Sequence, residues 1–189
     1  MILQACNIPV VDYVWFTDKQ WSAQREELIA QVESKLQYPV IVKPANLGSS
    51  VGIGCAHNRE ELIDKVDTAE QYSSRIVVEY MVKDLQEINC SVIGDCDEYQ
   101  MSVLEQPLTS QDILTYTDKY MGGTKGAQGM AASAKKFPAD LPEAETKRIQ
   151  FLAGETFRVL SCHGVSRVDV MIEGASKPDE TGCRKIYVN

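Results

Sequence analysis

Four groups of residues in this sequence have types and spacings suited to nucleotide chemistry. The first is Lys43, which ends the apolar run P-V-I-V-K-P and precedes the loop A-N-L-G-S-S-V-G. Gly48, Ser49, Ser50 and Gly52 bring exposed N–H groups and two hydroxyls without bulky side chains. A backbone nest of this kind can cradle phosphate oxygens, and the lysine adds positive charge. The lysine precedes the glycines and no G-K-S/T follows, so the segment is not a P-loop, and its spacing does not fit a dinucleotide fingerprint. A hairpin turn with an incidental lysine is the plain alternative. The second group is E-Y-M-V-K-D-L-Q-E, from Glu79 to Glu87. Tyr80, Met81 and Val82 could frame a flat aromatic ring with backbone groups pairing to its edge, and Glu87 could accept from vicinal hydroxyls. A solvated strand end is the alternative here.

The third group is S-R-V-D-V, which holds Arg167 and Asp169. Strand alternation puts both on one face, with Val168, Val170 and Ile172 on the other. An aspartate can hold Mg²⁺ and an arginine can stabilise a transferring phosphoryl group. Equally, two opposite charges at i, i+2 can be a simple ion pair. The fourth is Y-T-D-K-Y, with Lys119 and Tyr120, inside a glycine-rich stretch. A Lys-Tyr pair there suits a lid that closes over phosphate and excludes water, whereas a solvated loop needs no such role.

The elements that must position these residues alternate in type. Residues 8–16 read as a strand, and Thr17 with Gln20 forms a capping box before a helix carrying Trp21, Leu28, Val32 and Leu36. Short strands are expected over 39–44 and 53–57. Asn58 with Glu61 caps a second helix bearing Leu62, Ile63, Val66 and Ala69. Strands follow over 75–82, 86–94 and 97–105. In 86–94, Ile88, Cys90 and Val92 face one way and Glu87, Asn89 and Ser91 the other. Residues 106–138 lack periodicity, which is unusual for a connection of that length. Pro142 opens the longest helix, with Ile149, Leu152, Ala153, Thr156, Val159 and Leu160 as its stripe. Strands at 165–172 and from 184 onward complete an α+β chain of two lobes. Expected divisions are 1–16 as the tail of a preceding segment, 17–83 as a smaller lobe and 84–189 as a larger one. A strand passes between the lobes near Val82–Gln86, and ligands commonly bind between lobes.

Composition narrows the function. The chain has 189 residues, enough for a real core, and carries 27 acidic against 19 basic residues, a net charge of -8. That argues against a phosphate-backbone binder, so no nucleic-acid partner is expected. No apolar run reaches the roughly 20 residues of a membrane span, and the N-terminus does not read as a signal peptide. The six cysteines, Cys6, Cys55, Cys90, Cys96, Cys162 and Cys183, form no C-x-x-C, and His57 and His163 are the only histidines. A Cys/His zinc site therefore has almost no material, and reduced cysteines of a cytoplasmic protein are expected over a disulfide framework.

Taken together and in this order, Y-P-V-I-V-K-P-A-N-L-G-S-S-V-G, V-V-E-Y-M-V…E-I-N-C-S-V-I-G, the D-K-Y loop and H-G-V-S-R-V-D-V resemble the ATP-grasp family. Within it they resemble the D-alanine–D-alanine ligases and their D-alanine–D-lactate and D-alanine–D-serine relatives. The resemblance runs from N-I-P-V to I-Y-V-N and implies two α+β lobes with a nucleotide cleft between them. It implies that Lys43, Ser49, Ser50 and Lys119 meet ATP phosphates and that Glu79, Tyr80, Met81 and Val82 bind adenine. Glu87 would bind ribose, although the K-D-L-Q spacer carries one extra residue. Arg167, Ser49 and Tyr120 would serve catalysis and Asp169 would be a ligand for Mg²⁺ or Mn²⁺. The family continues from the last strand into a glutamate and an asparagine, further metal ligands, whereas this sequence stops at Asn189. It also has an N-terminal substrate domain of which only the tail is present. The expectation is an ATP-binding core, inactive or nearly so alone, of a homodimeric cytoplasmic enzyme of peptidoglycan precursor synthesis.

The implied reaction has two steps. A D-amino acid carboxylate attacks the γ-phosphate, with Lys43 and Lys119 neutralising charge; a second D-amino acid then attacks the acyl phosphate, with Arg167 beside the tetrahedral intermediate. Another carboxylate–amine ligase, a non-catalytic nucleotide-binding module and a domain with coincidental motifs are the alternatives.

Overall fold

Thr17 begins the first long helix as its spacing predicts. In a computed structural model, which describes residues 2–47, 51–107 and 135–189, its side chain accepts from the Gln20 N–H while Gln20 accepts from the Thr17 N–H. A short helix α1 (Ile2–Ala5) comes before strand β1 (Tyr13–Thr17), and the capped helix α2 spans Asp18–Lys35. Strands β2 (Val40–Pro44) and β3 (Gly54–Ala56) follow, then helix α3 (Arg59–Ala69) and strand β4 (Arg75–Tyr80). Asn58 caps α3 by accepting from the Glu61 N–H at 2.9 Å. The four strands form one antiparallel sheet in the order β1-β4-β2-β3. Val14, Phe16, Val40, Val42, Ala56, Ile76 and Val78 fill its inner face against Trp21, Ile29, Val32, Leu62 and Val66 of α2 and α3. These elements make up one compact unit, Asp12–Met81 among the described residues.

The other unit comprises residues 2–11, 82–107 and 135–189 of those described. Its strands β5 (Leu85–Gly94), β6 (Tyr99–Met101), β9 (Gly164–Glu173) and β10 (Ile186–Val188) lie in the order β10-β9-β5-β6, all antiparallel. A separate pair joins β7 (Gln106–Pro107) to β8 (Lys135–Lys136). Helix α4 (Glu143–Val159) covers the sheet with Ile149, Leu152, Ala153 and Phe157, against Ile88, Cys90, Val92, Val168, Val170 and Ile172. Pro142 is the N-cap residue of α4 rather than its first helical residue, and α2 is the longer helix by one residue, although Gln24 interrupts its helical backbone. Gly154 lets β6 come close, since a Cβ there would lie 2.7 Å from the Tyr99 ring.

Several strands are shorter than expected: 75–82 pairs only over Arg75–Tyr80, 53–57 only over Gly54–Ala56, and the last strand only over Ile186–Val188. Residues 8–16 divide: Ile8 enters the core beneath α4 and the Pro9 carbonyl accepts from Val188, so β1 begins only at Tyr13. Residues 97–105 pair as a strand only over Tyr99–Met101. There the Ser102 hydroxyl accepts the Ser91 N–H at 3.0 Å, breaking the ladder before Glu105 bridges to Asn89.

All six cysteines are free. No described helix is long and apolar enough to cross a membrane.

Candidate functional site

On the sheet of the first unit, alternation sends Val40, Val42, Ile76 and Val78 inward, so Ile41, Lys43, Val77 and Glu79 point outward. Lys43 and Glu79 lie diagonally across β2 and β4, and their Nζ and Oε2 are 2.7 Å apart. Both are more than half buried, with side-chain exposures of 26% and 16%. An outward cation and carboxylate so close on a sheet of apolar neighbours offer one group for an anion and one acceptor for an amine. The turn after Lys43 is constrained at Gly52, which has φ +71°; a Cβ there would lie 2.7 Å from the Pro44 ring.

The residues after Glu79 do not act alike. Tyr80 turns back onto the core of its unit, and its N–H is given to the Asp12 carbonyl at 2.9 Å. Met81 keeps the outward face, where its sulfur accepts from the Cys55 thiol at 3.5 Å. Burial, and then the Glu61 carboxylate, push the Cys55 thiol above its ordinary pKa. Val82 is buried and is the first residue of the other unit in this stretch of chain.

The β5–β9 ladder of the second unit brings its polar residues to one face. Asn89 lies opposite Asp169, Ser91 opposite Arg167 and Glu87 opposite Met171. Arg167 grips Asp169 with two prongs, Nε to Oδ1 at 2.5 Å and Nη2 to Oδ2 at 2.9 Å. That contact holds the Arg167 guanidinium above its ordinary pKa, with Glu105 and Glu87 adding to it more weakly. Glu105 sits beside the pair: Lys135 Nζ approaches it at 3.1 Å and Asn89 Nδ2 donates to it at 3.2 Å. The Lys135 ammonium, against the opposing pull of burial, holds the Glu105 carboxyl below the usual carboxylate range, with Asn89 helping.

Asn89, Glu105 and Lys135 had no assigned role in the sequence. Alternation puts Asn89 on the polar face, but only the pairing of distant segments brings Glu105, and with it Lys135, to Asn89. Among the described residues no three or more His, Cys, Asp or Glu side chains gather as a metal cluster. Ser49, Ser50, Lys119 and Tyr120 lie outside the described residues.

Residues 2–178 match the family model described as D-ala D-ala ligase C-terminus. The chain belongs to this family. A D-alanine–D-alanine ligase of Acetivibrio thermocellus is 33% identical over 189 residues, covering 100% of this chain and 46% of that protein. One from Solibacter usitatus is 36% identical over 193 residues, covering 100% of this chain and 52% of its own length. Among solved structures, the VanG D-Ala:D-Ser ligase of Enterococcus faecalis superposes with a TM-score of 0.73 at 25% identity, covering 98% of this chain and 49% of that one. The D-alanine-D-alanine ligase of Coxiella burnetii does so with a TM-score of 0.71 at 23% identity, covering 100% and 43%. The fold is thus the α+β ATP-grasp fold of these ligases, and the chain spans about half the length of the curated relatives it matches.

Proposed function

We propose that this chain is the ATP-binding part of a D-alanine–D-alanine ligase, which forms a peptide bond through an acyl phosphate. The observation that carries this reading is the outward pair Lys43 and Glu79, 2.7 Å apart, in a chain of this ligase family. Lys43 and Lys119 neutralise the phosphates, and the hydroxyls of Ser49 and Ser50 hydrogen-bond to them. Glu79 accepts from the exocyclic amine of adenine. Because the Tyr80 ring and N–H are both engaged, the ring edge pairs with the backbone of Met81 and Val82. Glu87, exposed on the polar face of β5, accepts from the ribose hydroxyls. The division of labour follows the two units, with Asp12–Met81 as the phosphate-binding lobe.

Arg167 takes the charge that builds on the transferring phosphoryl group and on the tetrahedral intermediate. Its hold on Asp169 positions the guanidinium for this. Asp169 provides one carboxylate to Mg²⁺. That donor set fits the ion, which keeps waters and phosphate oxygens and takes only one or two protein carboxylates in such sites. When bound, Mg²⁺ would neutralise charge on the phosphates. Tyr120, with Lys119, keeps water from the acyl phosphate, which water would hydrolyse. The acceptor is a second D-alanine, in keeping with the names of the curated relatives; the parent enzyme is a homodimer of the cytoplasm.

Calorimetric titration with ATP and Mg-ATP tests the reading. Lys43→Ala and Glu79→Ala each remove a hydrogen bond to a charged group, so affinity falls about tenfold to a hundredfold while circular dichroism is unchanged. Folded variants that bind like the parent would overturn it. Release of phosphate by the full-length parent with D-alanine, compared with D-serine and D-lactate, then identifies the acceptor.

A further inference from the structure

The outward face of the first sheet holds a second group, Cys55, His57 and the Met81 side chain, of which the nucleotide reading uses only the Met81 backbone. Ile41 on β2 lies opposite Cys55 on β3 and opposite Glu79 on β4. His57 is two residues beyond Cys55, and Met81 two beyond Glu79, each just past the end of its strand. Cys55 Sγ lies 3.5 Å from Met81 Sδ and 3.6 Å from His57 Nε2.

A thiol, a thioether and an imidazole at these separations are a set of soft donors. Donors bonded at about 2.0–2.3 Å to one cation, at trigonal or tetrahedral angles, lie about 3.5–4 Å apart. Each separation therefore suits a cation shared by that pair of donors, with Cys55 common to both. Of the described carboxylates near this group, Glu61 already accepts from the His57 backbone N–H at 2.9 Å and from Asn58 Nδ2 at 3.0 Å, and Glu79 is held by Lys43 at 2.7 Å. Hard cations such as Mg²⁺ want oxygen, whereas thiolate and thioether suit soft ions, Cu(I) among them.

We propose that Cys55, Met81 and His57 form a binding site for a soft monovalent d¹⁰ cation, Cu(I), with Ag(I) as its redox-inert analogue. On binding, the Cys55 S–H bond breaks, its proton goes to solvent, and the sulfur lone pair forms the bond to the metal. No electron is transferred. The site stands on its own geometry and does not depend on the nucleotide reading.

The test uses the full chain, with Cys6, Cys96 and Cys162 changed to Ser so that Cys55 is the accessible thiol; Cys90 and Cys183 are buried. Cu(I) is titrated anaerobically against a chromophoric chelator, and Ag(I) nitrate is added to protein with ¹³C-labelled methionine methyls in chloride-free buffer. We expect one equivalent bound and one methyl resonance shifted, absent from Met81→Leu. Met81→Leu and His57→Ala each lower Cu(I) affinity about tenfold or more, and Cys55→Ser abolishes binding. Met81→Leu conserves volume, so it keeps the test decisive if Cys55→Ser does not fold. Unchanged affinity in folded Met81→Leu and His57→Ala would mean a lone thiol and would overturn the proposal. Tighter binding of Zn²⁺ than of Cu(I) would overturn it as well.

Discussion

Arg167 and Asp169 hold each other by two parallel contacts on the outward face of β9, and Asn89 stands directly across the ladder from Asp169. Both side chains are well exposed, at 59% and 40%, so the pair contributes little to stability, about 0–1 kcal/mol. Its consequence lies in binding. Asp169→Asn keeps the shape and removes the charge. The melting temperature of the variant moves by no more than a few degrees, while the gain in ATP affinity on adding Mg²⁺ shrinks about tenfold. Calorimetry with and without Mg²⁺ measures that gain; an unaltered gain takes Asp169 out of the metal role.

The Lys43–Glu79 contact makes a sharper split between parts of one ligand. Glu79→Gln keeps a hydrogen-bonding side chain but releases the ammonium from its carboxylate partner. Tripolyphosphate binds this variant about threefold to tenfold more tightly, because a like charge beside the anion is gone. Adenosine binds it more weakly. Parallel titrations with the two half-ligands check both directions, and a fall in both affinities means that Glu79 organises the face rather than reading the base.

Much of this face is legible in the sequence because period-2 alternation needs no knowledge of partners. Ile88, Cys90 and Val92 are buried, as are Val168, Val170 and Ile172, and the polar residues between them face outward. The caps at Thr17 and Asn58 are equally local, each decided within three residues. What escapes sequence reading is register. Nothing near Glu105 in the chain reveals that its backbone pairs with Asn89, or that Lys135 comes in through β8. The soft-donor group is hidden for the same reason: Cys55 and Met81 meet only because β2 lies between their strands. Local chemistry also ended strands early, as where the Ser102 hydroxyl takes the place of a ladder carbonyl.

Glu145 gives a stability prediction with a pH signature. It is buried to 1% exposure on α4, where Arg184 holds it through Nε to Oε1 at 2.9 Å and Nη2 to Oε2 at 2.8 Å. The Arg184 backbone N–H donates to it as well, and Gln86 Oε1 accepts a further hydrogen bond from Arg184 Nη2. Removing the carboxylate leaves Arg184 without its partner, so Glu145→Ala costs about 3 kcal/mol in urea unfolding. Hydrogen bonding from Arg184 depresses the Glu145 pKa below its ordinary 4.5 despite burial. A carboxylate depressed in the folded state stabilises fully above the unfolded value and loses that contribution as pH falls through the folded one. The stability gap between the native chain and Glu145→Gln is therefore flat above about pH 4.5 and closes as the carboxylate takes up its proton below that. A gap that stays constant to pH 3 would contradict the assignment.

Gly154 tests how tightly α4 is seated on the second sheet. Its backbone is ordinary helix, so a helix-propensity argument alone makes Gly154→Ala stabilising by up to about 1 kcal/mol. The contact says otherwise. The added methyl would lie 2.7 Å from Tyr99 Cε2 and 3.2 Å from Met101 Sδ, both on β6. Tyr99 cannot simply swing away, because its ring packs on Phe157 with centroids 5.9 Å apart and its hydroxyl faces Glu155 at 3.4 Å. Overpacking wins, and Gly154→Ala lowers stability by about 1–3 kcal/mol. Tyr99→Leu relieves the clash, so the double variant is more stable than the sum of the single changes implies. Additive losses in the urea midpoints would mean that β6 shifts freely, and that the edge of this sheet is softer than its packing suggests.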